Sequence, residues 1–345
     1  MSILKPYLSK QKLNTLQKYT FAVLLVFIPL YPKFPLFSLP FTSVAIRLED
    51  FIIAFLALLL LLSLPYYLKE IKKSPVVKAL LIFFAVGLLA TISGAFLTHT
   101  VSIKIAALHW LRRIEYATPF FAGLVLANKK NLRFFIEVIV LTAIGVFLYG
   151  LAQIYLKAPV ISTQNAEFAK GFALTLSPGV NLASTFAGHY DLATYLVMTL
   201  SIFTALIFAV KKSWQKLFLI VLSLGLFWLQ LRTGSRIAFF ALLISLPLSL
   251  LLSRKPVWII PVFIIAAVGL ANTPAISSRF GSLVKVLQFK SMQNQIKGVF
   301  DDRSFLVKPI YAQQDPAPTP TLRPIQQDRS TSIRFDVEWP MAIRS

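Results

Sequence analysis

Residues 51–64 read "FIIAFLALLLLLSL", fourteen positions with one serine and no charge. A half-buried strand would alternate polar and apolar residues, and a surface helix would keep a polar stripe; this stretch does neither. Unbroken apolarity of this kind suits a helix in lipid, where the backbone must satisfy its own hydrogen bonds, and it lacks the two-residue alternation of a membrane barrel. Similar runs recur along the chain, each long enough for a hydrocarbon core of about 30 Å. They predict an all-α, polytopic transmembrane helical bundle of about nine spans, near 19–37, 48–67, 77–97, 104–127, 133–156, 190–210, 215–231, 235–252 and 257–272. Residues 1–272 then form the transmembrane domain, and 273–345 an external loop region.

Composition agrees. The 345 residues are 57% hydrophobic and 14% charged, whereas soluble domains carry about 25% charged residues. There are too many apolar runs for a single signal peptide. The net charge of +22 does not mark a nucleic-acid partner, because Lys and Arg fall in short clusters between apolar runs. Cysteine is absent, and the three histidines show no metal-binding spacing, so neither a metal site nor a cofactor is expected.

The clusters set an orientation. "KPYLSKQKLNTLQK", "KEIKKSPVVK" (69–78), "NKKNLR" (128–133), "KKSWQK" (211–216) and "SRKP" (253–256) occur at every second connection. The positive-inside rule assigns them to the cytoplasm. The expected arrangement is multi-pass, with a cytoplasmic N-terminus. Facing outward are 38–47, 98–103, 157–189, the "RTGSR" turn (232–236) and everything after about 272, which includes the Pro-rich "DPAPTPTLRP". Long outward loops are where a soluble partner would be met.

Several charges then need a reason. Arg232 and Arg236 lie on the side that positive-inside statistics disfavour. They are either interface anchors or, with Gly234 and Ser235 opening backbone N–H groups at a helix start, a phosphate cradle. "HWLRRIEYATPF" (109–120) places His109, Arg112, Arg113 and Glu115 within the fourth span. There an arginine either pairs with Glu115 or contacts an anion in an outward-open cavity. "STFAGHYDLATYL" (184–196) brings His189, Tyr190 and Asp191 to the mouth of span six. His189 is a candidate proton acceptor, and Asp191 either orients it or caps the helix. In "DRSTSIRFDVEWPMAIR" (328–344), Arg334 and Glu338 are four apart and form an ordinary solvated helical pair unless Arg334 meets substrate.

Three stretches carry a resemblance: "STFAGHYDLATYLVMTLSIF", "LQLRTGSRIAFFALLISLPLSLLL" and "RSTSIRFDVEWPMAI". In order, spacing and side of the membrane they resemble the O-antigen ligase and Wzy-type polymerase superfamily of membrane glycosyltransferases, whose products belong to the cell envelope. The resemblance implies inverting transfer of glycan from a polyprenyl-diphosphate carrier at the outer face of the cytoplasmic membrane, without metal or nucleotide sugar. The implied partners are a lipid-linked oligosaccharide donor, a saccharide or lipid acceptor and membrane lipids. By motif position the diphosphate falls to Arg236 and then Arg334, with Arg232 added by the reading of the turn. The family's arginine before the Ser-Thr-Phe segment is replaced here by Asn181, so Arg112 or Arg113 is the candidate substitute. The family's catalytic histidine follows the Arg-x-x-x-Trp helix, beyond residue 345, and the chain is expected to be C-terminally truncated. His189 stands where the family usually has asparagine, and the base role does not transfer to it by resemblance. The competing expectation is a transporter or flippase that binds anionic lipid-linked sugars without chemistry.

Overall fold

The computed structural model of the chain describes residues 9–31, 35–38, 45–160, 176 and 181–271. Arg334 and the 273–345 region lie outside the described residues, as do most of 157–189. Among the described residues the chain is helical apart from one small hairpin. Its helices are α1 (Lys10–Leu30), α2 (Leu48–Lys73), α3 (Pro75–Ile92, continued by a π-turn at Ser93–Leu97) and α4 (Ile103–Leu126). There follow α5 (Lys129–Tyr155), α6 (His189–Ala209), α7 (Ser213–Arg232), α8 (Arg236–Leu252) and α9 (Ile259–Ala271). Six of them, α1, α2, α3 with its π-turn, α5, α6 and α7, are long and apolar enough to cross a membrane. The helices α8 and α9 are apolar but shorter, and α4 is interrupted by Arg112, Arg113 and Glu115.

The starts follow from local chemistry. Ser9, Ser74, Asn128 and Ser235 each accept a hydrogen bond from a backbone N–H of the first turn of α1, α3, α5 and α8, which satisfies one of the donors a helix start leaves over. The expected helix boundaries agree to within four residues except at the first span, whose helix starts nine residues earlier than 19, and at the end of the second, where α2 runs six residues past 67 to Lys73. Hydropathy extends the first span to residue 37, but α1 ends at Leu30. Strands β1 (Pro35–Ser38) and β2 (Ala45–Arg47) then pair antiparallel, Phe37 opposite Ile46. Pro35 has no N–H to give a helix ladder, so the apolar residues there belong to a hairpin.

The bundle packs α6 against α7 and α8, α1 against α2 and α5, and α2 against α4. Leu192, Leu196 and Phe203 of α6 meet Leu226 and Leu229 of α7 and Leu242 of α8 in the main core. Small residues set two crossings. A Cβ on Gly150 of α5 would lie 2.3 Å from Leu229, and one on Gly225 of α7 would lie 2.8 Å from the Phe147 ring. Close backbone approach at small residues is the usual packing device where lipid removes the hydrophobic drive between helices. Polar ties lie inside: Gln17 Nε2 donates to Leu59 O at 2.9 Å and Ser63 Oγ at 2.7 Å. The outward apolar side chains, such as Ile82, Leu89 and Ile244, are exposed, as lipid-facing residues are.

Candidate functional site

Two polar groups stand out, and both border the last turn of α1. The first is the corner where α7 turns into α8. Thr233 closes α7, its Oγ1 donating to Gln230 O at 2.7 Å, and Gly234 takes a left-handed φ of +64°. Gly234 N donates to Leu231 O, and Ser235 N donates to Thr233 Oγ1 at 3.3 Å. Two of the amide groups expected to open toward a ligand are therefore consumed within the turn. What the corner offers is side-chain charge: Arg232 is exposed, its guanidinium 5.8 Å from the Trp228 ring, and Arg236 is half-buried as the first residue of α8.

Against this turn lies the 181–188 segment. It is buried but irregular, with Leu182, Ala183, Ser184 and Phe186 all inside. Such backbone is tolerated at membrane depth only where protein satisfies it. Leu182 N donates to Arg232 O at 3.1 Å. Ser184, at φ 50°, donates through Oγ to Val146 O at 2.7 Å, and Gln153 Nε2 donates to Ser184 O at 2.9 Å. Thr185 Oγ1 donates to Pro29 O of α1. Asn181 sits so close to Gly234 that a Cβ there would lie 2.4 Å from its Oδ1. Asn181 and Leu182, just ahead of "STFAGHY", thus meet the "LRTGSR" turn, while Ser184 and Thr185 tie the same segment to α5 and α1. The N-cap of α6 is Gly188, without a side-chain cap bond, so Asp191 is not the cap. It occupies the first turn, exposed, where a carboxylate complements the helix dipole. His189 is half-buried, its ring 4.0 Å from that of exposed Tyr190.

The second group lies between α1, α2 and α4. Arg112 donates through Nε to Tyr116 OH at 2.8 Å, and its Nη2 lies 3.6 Å from Asp50 Oδ2 at the start of α2. Arg47 Nη1 is 3.8 Å from Glu49, and Arg47 N donates to Asp50 Oδ2 at 2.9 Å. Arg112 thus has an ion-pair partner, Asp50, on another helix, beside the Glu115 of its own helix that also acts on it electrostatically. Arg47, Glu49, Asp50 and Arg112 line a cavity of about 300 Å³, together with Ile28, Ile53, Tyr116 and Pro119. Arg113 and His109 are exposed, and Glu115 is half-buried. Sequence reading missed the α2 contribution, although "RLED" (47–50), three charges opening the most apolar run of the chain, was its signal.

No family model matches the chain, and no curated protein or solved structure matches it either. The corner can hold an anion through two permanent cations. The cavity interleaves donors with acceptors and presents both signs of charge.

Proposed function

We propose that the chain is a polytopic membrane glycosyltransferase that moves or polymerises glycan from a polyprenyl-diphosphate donor at the outer face of the cytoplasmic membrane. The observation that carries the reading is the meeting of the 181–182 backbone with the 232–234 turn, where Leu182 N donates to Arg232 O and Asn181 lies against Gly234. The nine helices of the described residues are read as nine spans, with α4, α8 and α9 crossing beside the six longer ones. The basic clusters at residues 10–18, 69–78, 128–133, 211–216 and 254–255 fall at alternate helix ends, which supports reading those ends as cytoplasmic and the corner as outward by the positive-inside rule.

In the reaction, an acceptor hydroxyl oxygen attacks the anomeric carbon as the bond from that carbon to the diphosphate oxygen breaks. Polyprenyl diphosphate leaves with the bonding electron pair, and the hydroxyl proton passes to a base. Arg236, with Arg232 as helper, stabilises the charge that develops on the leaving diphosphate, the role preorganised cations fill in phosphate chemistry. Arg334 and Arg113 are further candidates for that contact, whereas Arg112 is engaged by Asp50. His189 is the histidine to test as proton acceptor, because it is half-buried and opens α6 directly after the 181–188 segment. Arg236→Ala should abolish glycan transfer and leave membrane insertion intact; full transfer by that variant would remove Arg236 from the mechanism. A transporter would bind the same donor through the same arginines but would return the glycan still joined to its lipid.

A further inference from the structure

We infer that the cavity between α1, α2 and α4 is a binding subsite for a neutral saccharide unit, separate from the diphosphate corner. The inference rests on the proposed function for the source of the saccharide, and on the cavity's own chemistry for the class of ligand.

The lining divides into a small polar part and a much larger apolar one. On the polar part, Arg112 is held by Asp50 at 3.6 Å and Arg47 by Glu49 at 3.8 Å. Carboxylates beside both guanidiniums make the site a poor host for phosphate, which they would repel, and the guanidiniums make it a poor host for a cation. Paired carboxylate and guanidinium groups suit hydroxyls, which donate to one and accept from the other. Arg47 Nε is buried with no hydrogen-bond partner among the described residues, and leaving such a donor unsatisfied costs about 1–3 kcal/mol. On the other part, Ile28, Ile53, Pro119 and the Tyr116 ring present an apolar wall. A sugar ring has this same division into hydroxyl edge and C–H face. At about 300 Å³ the cavity matches a saccharide unit rather than a long acyl chain. It also adjoins the corner: Ile28 lines the cavity, and the next residue, Pro29, accepts the hydrogen bond from Thr185.

The test is saturation-transfer NMR on the full chain in nanodiscs, with the methyl glycosides of N-acetylglucosamine, galactose, mannose and rhamnose as probes and inorganic diphosphate as competitor. At least one glycoside should receive saturation at its C–H face. Asp50→Asn, which keeps the capping geometry, and Tyr116→Ala, at an exposed ring, should each weaken it by about tenfold, the scale of one hydrogen bond to a charged group. Arg236→Ala should leave it unchanged, and diphosphate should not compete. Absence of saturation for all four probes, retention in both cavity variants, or displacement by diphosphate would overturn the subsite. The measurement reads binding without chemistry. A chain that binds glycosides but never transfers glycan defeats the transferase reading alone, and one that transfers glycan with no glycoside contact defeats the subsite alone.

Discussion

The corner at Arg236 and the cavity at Arg112 use the same residue type to opposite ends. At the corner, the nine residues "LRTGSRIAF" bring two arginines and no acid within the turn, and the turn's backbone hydrogen bonds are closed internally, so side chains rather than backbone amides are what it presents. In the cavity, Arg112 and Arg47 each face a carboxylate, and the charge is balanced before any ligand arrives. An arginine's role in a membrane is therefore set by what the neighbouring helix places opposite it.

The largest effect that separates the two regions should come from Arg236. Arg236→Ala is expected to lower the rate of glycan transfer about 10²–10³-fold, the cost of losing one preorganised charge-stabilising group. Arg236→Lys should recover only part of it, because an ammonium cannot match two oxygens in one plane. Equal losses in Arg236→Ala and Arg112→Ala, measured as initial rates, would erase the distinction.

Next is Gly234→Ala. It forces a side chain into a left-handed backbone and onto Asn181, and should cost about 1–3 kcal/mol in unfolding experiments, with Asn181→Gly recovering the part due to contact. Arg112→Ala should destabilise by about 1–2 kcal/mol, discounted because both partners are partly solvated. Most of that loss should return when Asp50→Asn is added, since the penalty is the carboxylate left behind. Additive losses in that double-mutant cycle would show that the pair is not coupled. The smallest effect should be Arg133→Ala, which breaks a surface pair with Glu137 whose side chains are 83% and 63% exposed; it should shift stability by less than about 0.5 kcal/mol.

The helices were legible because apolar length is a strong signal in a chain like this one, and Ser9, Ser74, Asn128 and Ser235 mark starts in plain view. The hairpin at 35–47 was not, because hydropathy counts Pro35 and Phe37 as apolar without asking whether their backbone can join a helix. At the site, the stretches "STFAGHY" and "LRTGSR" stood out in the sequence, but the contact of Asn181 and Leu182 with the turn and the closure of the Gly234 and Ser235 amides did not. That depends on Thr233 Oγ1 turning back into the loop. The cavity was half legible: Arg112 was visible as a costly charge, while its partner Asp50 lies in a different helix, and only packing of α2 on α4 brings them together.

The central claim is that the chain breaks the sugar–diphosphate bond rather than only carrying it. The most direct test is to reconstitute the full chain in vesicles with a polyprenyl-diphosphate-linked oligosaccharide and an acceptor glycan, and to quantify free polyprenyl diphosphate by mass spectrometry. The account predicts release in step with elongated acceptor for the unaltered chain, and near-background release for Arg236→Ala. Oligosaccharide that reaches the opposite leaflet still joined to its lipid, with no free polyprenyl diphosphate, would contradict it.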